Sequence, residues 1–195
     1  RISFEGSNRA QQNTMKGVQQ GSYISIMLIF SLLALQFRSY LQPLIVMSAI
    51  PFGIVGAVMG HYLLGFTLSI VSVLGMVALS GIVVNDSLIM VDFINRFREQ
   101  GHRLREAVLE AGVRRFRPIV LTTLTTFFGL MPMMFETSRQ ARFLIPMAIS
   151  LAFGVLFATF ITLVLVPVFY YLLNDFLVLF GQKKRDVLEK TATAD

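Results

Sequence analysis

Five long apolar runs decide what this chain can fold into. They cover residues 22–37, 41–64, 68–93, 119–135 and 143–173. A run of roughly 20 apolar residues is long enough to cross the hydrocarbon core of a bilayer as a helix. The chain is 55% hydrophobic and only 14% charged, whereas soluble domains carry about 25% charged residues. The expected fold class is therefore all-α and integral to the membrane, with five transmembrane helices. The first run is short and is expected to begin about a turn earlier, near Val18. The last is long enough to tilt or to reach into the interface.

The charges sit between the runs. Residues 95–117 carry seven arginines, Arg96, Arg98, Arg103, Arg105, Arg114, Arg115 and Arg117, against Glu99, Glu106 and Glu110. Arg and Lys in short loops mark the cytoplasmic side. That places this loop inside, together with Arg38 and the tail bearing Lys183, Lys184, Arg185 and Lys190. Residues 1–21, the 61–67 turn and residues 136–142 then fall outside, although Arg139 and Arg142 pull mildly the other way. The net charge of +6 is thus a topology signal. It flanks spans rather than lining one basic face, which argues against a nucleic-acid partner. Membrane lipids with anionic headgroups are the expected partners of the same arginines.

Between Arg103 and Arg115, the residues Leu104, Ala107, Val108, Ala111 and Gly112 recur at helical spacing. This predicts an amphipathic helix on the cytoplasmic surface over about 102–115. Pro118 is then expected to open the fourth span, where its missing N–H does little harm. The expected divisions are a lead-in over 1–17, a helix bundle over 18–175 and a tail over 176–195. There is no cysteine, so neither disulfides nor thiolate metal ligands are available, and no cofactor or enzymatic activity is implied. A chain opening on Arg1 with a polar stretch to Gly21 is expected to be a piece of a longer one.

Lipid offers no hydrophobic drive between helices, so small residues must let them approach. The second run offers Gly53, Gly56, Ala57 and Gly60. The fifth offers Pro146, Ser150, Gly154, Ala158 and Thr162 at strict four-residue spacing, along one helical face. Helix packing accounts for these residues. The methionines around Pro132 are likewise read as packing rather than metal handling.

The third run contains Gly81-Ile-Val-Val-Asn-Asp-Ser-Leu-Ile-Met-Val-Asp, which sets Asn85 and Asp86 side by side near its middle. A charged residue at the centre of a span costs roughly 2.5 to 3.5 kcal/mol even on lenient scales. Asp86 has no Lys, Arg or His within several turns on its own helix. A carboxyl in that setting can load and release protons near physiological pH. Asp92 lies nearer the end of the run, where an i,i+4 ion pair with Arg96 accounts for it. The fourth run carries Thr122, Thr123, Thr125 and Thr126. Each hydroxyl can bond to a carbonyl one turn back, but four in one turn and a half suggest a polar track. Thr122 and Thr126, one turn apart, are its chosen members.

Several of these motifs resemble one known family. They are Leu-Gln-Phe-Arg-Ser-Tyr-Leu-Gln-Pro-Leu (35–44), Ile-Pro-Phe-Gly (50–53), the 81–93 stretch, Arg-Phe-Arg-Pro-Ile-Val-Leu-Thr-Thr (115–123), Gly-Leu-Met-Pro (129–132) and Val-Pro-Val-Phe (166–169). In this order and spacing the chain resembles the C-terminal membrane half of a resistance-nodulation-division (RND) efflux transporter of the hydrophobe/amphiphile class. The resemblance implies the eighth to twelfth of twelve spans, a proton-driven exporter of drugs and amphiphiles, and a homotrimer in the bacterial inner membrane. It also implies the N-terminal half of the same transporter, a periplasmic adaptor and an outer-membrane channel as partners.

In multidrug members, two aspartates on the fourth span work with a lysine on the tenth and with Arg and Thr on the eleventh. Here Arg117 and Thr122 match the eleventh-span motif. The lysine position falls on Asn85, followed by Asp86 where those members have Asn. The expected relay is thus Asp86, Asn85, Thr122, Thr126 and Arg117, with Asp92 secondary. Either the relay is rebuilt around carboxylates and hydroxyls, or coupling differs. Two alternatives stay open: a sterol-sensing-like lipid-binding bundle, and a metal exporter of the same superfamily.

Overall fold

A computed structural model describes residues 2–138 and 142–179. Arg139 and the lysines of the expected tail lie outside them. Among the described residues the architecture is all-α. Six helices follow one another: α1 (Ile2–Phe37), α2 (Leu41–Met47), α3 (Ile50–Leu64), α4 (Ile70–Glu99), α5 (Leu104–Met134) and α6 (Ile145–Leu179).

Among the described residues, four segments are long and apolar enough to cross a membrane: Gln11–Phe37, Leu41–Leu64, Ile70–Glu99 and Ile145–Asp175. The remaining expected span, 119–135, is the C-terminal half of α5, and its four threonines dilute its apolar character. The amphipathic stretch and this span form one helix, because Pro118 lies inside α5 rather than opening a new element. A proline in a helix interior costs the bond its missing N–H would make, yet the flanking residues remain helical on both sides.

Proline has the opposite outcome in the second span, expected as one helix over 41–64. It divides at Ser48 and Ala49, just ahead of Pro51 in the first turn of α3. Pro51 cannot donate to the Met47 carbonyl, so the ladder is interrupted there. Ser48 Oγ fills part of the gap by donating to Ile45 O at 2.6 Å.

The α3–α4 corner is closed by local chemistry at both helix ends. Gly65 ends α3 with φ 69°, a left-handed conformation that glycine adopts without steric cost. Phe66 N–H reaches back to His61 O and Gly65 N–H to Tyr62 O, the paired bonds of a Schellman cap. Ser69 then caps α4 reciprocally with Ser72, each side chain accepting from the other's backbone N–H.

Helix α6 is the centre of the bundle and packs against α3, α4 and α5. Its four-residue stripe is the reason. Ser150, Ala158 and Thr162 are fully or almost fully buried, and Gly154 lies on the same line. A Cβ at Gly154 would overlap Leu79 Cδ2 and sit 3.1 Å from Gly53 O. Across the same seam, a Cβ at Gly56 would overlap Phe157 Cβ, and one at Gly60 would fall 2.5 Å from Phe153 Cβ. These glycines let α3 and α6 touch backbone to side chain. Helix α1 contacts mainly α2 and α4 and leaves Met27, Leu28, Leu32 and Leu35 exposed.

Gly56→Ala is expected to destabilise the bundle by about 1–3 kcal/mol, since the new methyl meets a Cβ that cannot swing away. Gly112→Ala, where a Cβ meets nothing within 4 Å, is expected to stabilise by about 0.5–1 kcal/mol through helix propensity. Thermal unfolding in detergent measures both.

Candidate functional site

Helix α4 carries the polar residues, and its burial pattern sorts them. Val83, Val84, Ser87, Met90, Val91 and Ile94 form the buried face. Asp86 is half-buried beside that face, and Asn85 is exposed. Asp86 makes no hydrogen bond or ion pair among the described residues. Asp92 pairs with Arg96, Oδ2 to Nε at 2.9 Å, one turn further along the helix.

The threonines of α5 divide into two kinds. Thr122 Oγ1 donates to Ile119 O at 2.8 Å, and Thr126 Oγ1 donates to Thr122 O at 2.8 Å. Thr125 bonds in the same way to the carbonyls of Leu121 and Thr122. Thr123 instead crosses to α6, its hydroxyl 2.7 Å from that of Thr159, with both side chains buried. Thr123 lies off the face shared by Thr122 and Thr126. Arg117 is exposed at the start of the apolar half of α5. Apart from the Thr126–Thr122 bond, the expected relay residues are not joined to one another by hydrogen bonds or ion pairs among the described residues.

Three further polar groups were not anticipated. Asn95 on α4 and Gln42 on α2 exchange amide bonds in both directions, at 2.9 and 3.2 Å. Tyr170 OH on α6 adds a third bond, to Asn95 Oδ1 at 2.5 Å. This clamp ties three helices at the arginine-rich end. At the opposite end, buried His61 donates through Nδ1 to Ala57 O, and its Nε2 lies 2.9 Å from Ser72 Oγ. Ser150 of α6 donates to the Ser72 carbonyl at 3.0 Å. Arg115 lays its guanidinium 5.1 Å from the Phe93 ring centroid, a cation–π contact that holds α5 against α4. The usable signal for the clamp was an amide near the end of each of two adjacent spans.

The family-scale match decides what this arrangement belongs to. Residues 1–174 match the model of the AcrB/AcrD/AcrF family. This chain belongs to that family. It is a membrane section of an RND transporter. Over 193 residues it is 31% identical to the multidrug resistance protein MdtC of Proteus mirabilis, covering 98% of this chain and 19% of that one. Over 171 residues it is 34% identical to the cobalt-zinc-cadmium resistance protein CzcA of Cupriavidus metallidurans, covering 88% of this chain and 16% of that one. Among solved structures it is similar to a heavy metal efflux pump in crystal form II. There the TM-score is 0.77 at 29% identity, over 86% of this chain and 16% of that one. The RND chain described here thus spans less than a fifth of the length of these relatives.

Loss of the clamp is expected to be graded. Tyr170→Phe removes one hydrogen bond and is expected to cost about 0.5–1.5 kcal/mol in the full-length transporter. Asn95→Leu strands Gln42 and Tyr170 together and is expected to cost more, roughly 2–4 kcal/mol. Thermal unfolding ranks the two, and the reverse order would show that the amide exchange contributes nothing.

Proposed function

We propose that this chain is the C-terminal membrane section of a proton-driven RND exporter and that Asp86 is its proton-carrying group. The observation that carries the reading is the position of Asp86. It lies mid-span in α4 without a hydrogen-bond or ion-pair partner among the described residues, while the other charged side chains of α4 begin at Asp92. An acid in that setting is expensive, and it is retained because its carboxyl works in both protonation states. Asn85, Thr122, Thr126 and Arg117 supply polar groups on α4 and α5. A threonine hydroxyl that donates to its own helix still accepts a bond from a proton-bearing group, so the backbone-bonded threonines remain usable in a relay.

In this reading the relay is completed by acids from the N-terminal half of the transporter. The assembly is a homotrimer in the bacterial inner membrane, with the C-terminus cytoplasmic, coupled to a periplasmic adaptor and an outer-membrane channel. The substrates are drugs and amphiphiles, in keeping with the likeness to MdtC. A second reading, metal-ion export, is supported by the 34% identity to CzcA and by the likeness to a heavy metal efflux pump. A carboxylate in the second half of the membrane domain suits it equally.

Asp86→Asn in the full-length transporter is expected to abolish efflux of a reporter dye while the protein remains in the membrane. Thr122→Ala is expected to weaken efflux without abolishing it. Undiminished efflux by the Asp86 variant would refute its role as the carrier. Cells expressing the full-length protein separate the two substrate readings. Survival on dyes and detergents is expected under the first, whereas protection confined to cobalt, zinc or cadmium salts would establish the second.

A further inference from the structure

A polar cavity of about 900 Å³ opens at the arginine-rich end of the bundle. Its wall draws Arg38 from the α1–α2 turn, Arg96 and Arg98 from the end of α4, and Arg103 from the N-cap of α5. Two acids share the wall. Asp92 is neutralised by Arg96, and Glu99 leaves the lining net positive. The guanidinium groups of Arg38, Arg98 and Arg103 form no ion pair or hydrogen bond among the described residues. Three segments distant in sequence thus bring unpaired guanidinium groups to one concavity. Guanidinium presents a planar fork of donors that matches phosphate oxygens.

Backbone conformation adds to this. Arg38 is the one non-glycine residue with positive φ among the described residues, at 50°. Glycine occupies that region without penalty, whereas a side chain there is strained. Strain of this kind persists where the surrounding structure fixes it and clusters at ligand clamps.

The helix that ends at the cavity also bears an exposed apolar face. Gln36 lines the cavity from the last turn of α1. Immediately N-terminal, Leu28, Leu32 and Leu35 share one helical face and are 59%, 65% and 76% exposed. A basic recess at the end of an exposed leucine stripe matches a molecule with an anionic head and long acyl chains.

We propose that this cavity binds the phosphate headgroup of an anionic phospholipid from the cytoplasmic leaflet, with the acyl chains lying along the Leu28–Leu32–Leu35 face of α1. The site is separate from Asp86 and holds whether the exported substrate is an amphiphile or a metal ion. It uses the inside placement of the arginine-rich loops, where anionic headgroups are available.

The test uses the full-length transporter in nanodiscs containing equal phosphatidylglycerol and phosphatidylcholine. Lipid retained after extraction into mild detergent is measured by mass spectrometry. Wild type is expected to retain phosphatidylglycerol selectively. At roughly fivefold per arginine, the Arg38→Ala/Arg98→Ala/Arg103→Ala variant is expected to lose that preference by on the order of a hundredfold. Gln36→Glu, isosteric and surface-placed, adds a negative charge at the cavity and is expected to lower it about fivefold without disturbing the fold. Arg105→Ala/Arg114→Ala, outside the cavity, is expected to behave as wild type. Equal retention of the two lipids, or the same loss in the Arg105/Arg114 control, would overturn the proposal. So would displacement of the lipid by millimolar glycerol 1-phosphate, which would reassign the recess to a soluble phosphate ester.

Discussion

Contact between α3 and α6 at Gly56, Gly60 and Gly154 is the constraint on which the rest of the bundle hangs. In lipid, an apolar side chain gains nothing from water exclusion when it meets another helix. What remains is dispersion, which decays within a fraction of an ångström of ideal contact. The glycines bring Phe153 and Phe157 of α6 directly against the α3 backbone, and Gly154 admits Leu79 of α4 to the same junction. Once α6 is seated there, its other faces meet α4 and α5, and the Thr123–Thr159 pair falls within bonding distance.

Polar groups in the bundle follow one rule with few departures. Hydroxyls bond back to their own helix, as in Ser31, Ser80, Thr122, Thr125 and Thr126, or they join a neighbouring helix, as in Ser150 and Thr123. Amides are paired across helices at Gln42 and Asn95. The departures gather on and beside α4: Asp86, the buried Ser87 hydroxyl and the buried Nε of Arg115. An unpaired buried group costs about 1–3 kcal/mol. The bundle carries that cost on α4 and on the stretch of α5 packed beside it.

Much of this was legible in the residues. Apolar run lengths located the spans, and the four-residue stripe on α6 identified its buried line through Ser150, Gly154, Ala158 and Thr162. The Asp92–Arg96 pair followed from spacing alone. Proline was harder to read. Pro118 and Pro51 each follow an apolar or amphipathic stretch, yet one is absorbed in a continuous helix and the other divides a span, because neighbouring packing decides how an interrupted ladder is resolved. The Gln42–Asn95–Tyr170 clamp joins residues 53 and 75 positions apart, a distance over which no local pattern speaks. Among the threonines, helical spacing sets Thr122 and Thr126 one turn apart but carries no information about which face meets α6, and that face belongs to Thr123.

The break at Ser48 and Ala49 gives the second span the mechanics of two rods on a pin rather than of one beam. The rod on the far side, α3, is bolted to α6 by glycine contacts that tolerate no sliding. The near rod, α2, is held by the directional amide bonds of Gln42 and by Ile45 and Val46, buried in the core with residues of α4 and α6. Pro51 has already removed a bond from the ladder between them. The two parts of the span are thus held by different chemistry, close backbone contact at the glycine seam and directional amide bonds at the arginine-rich end.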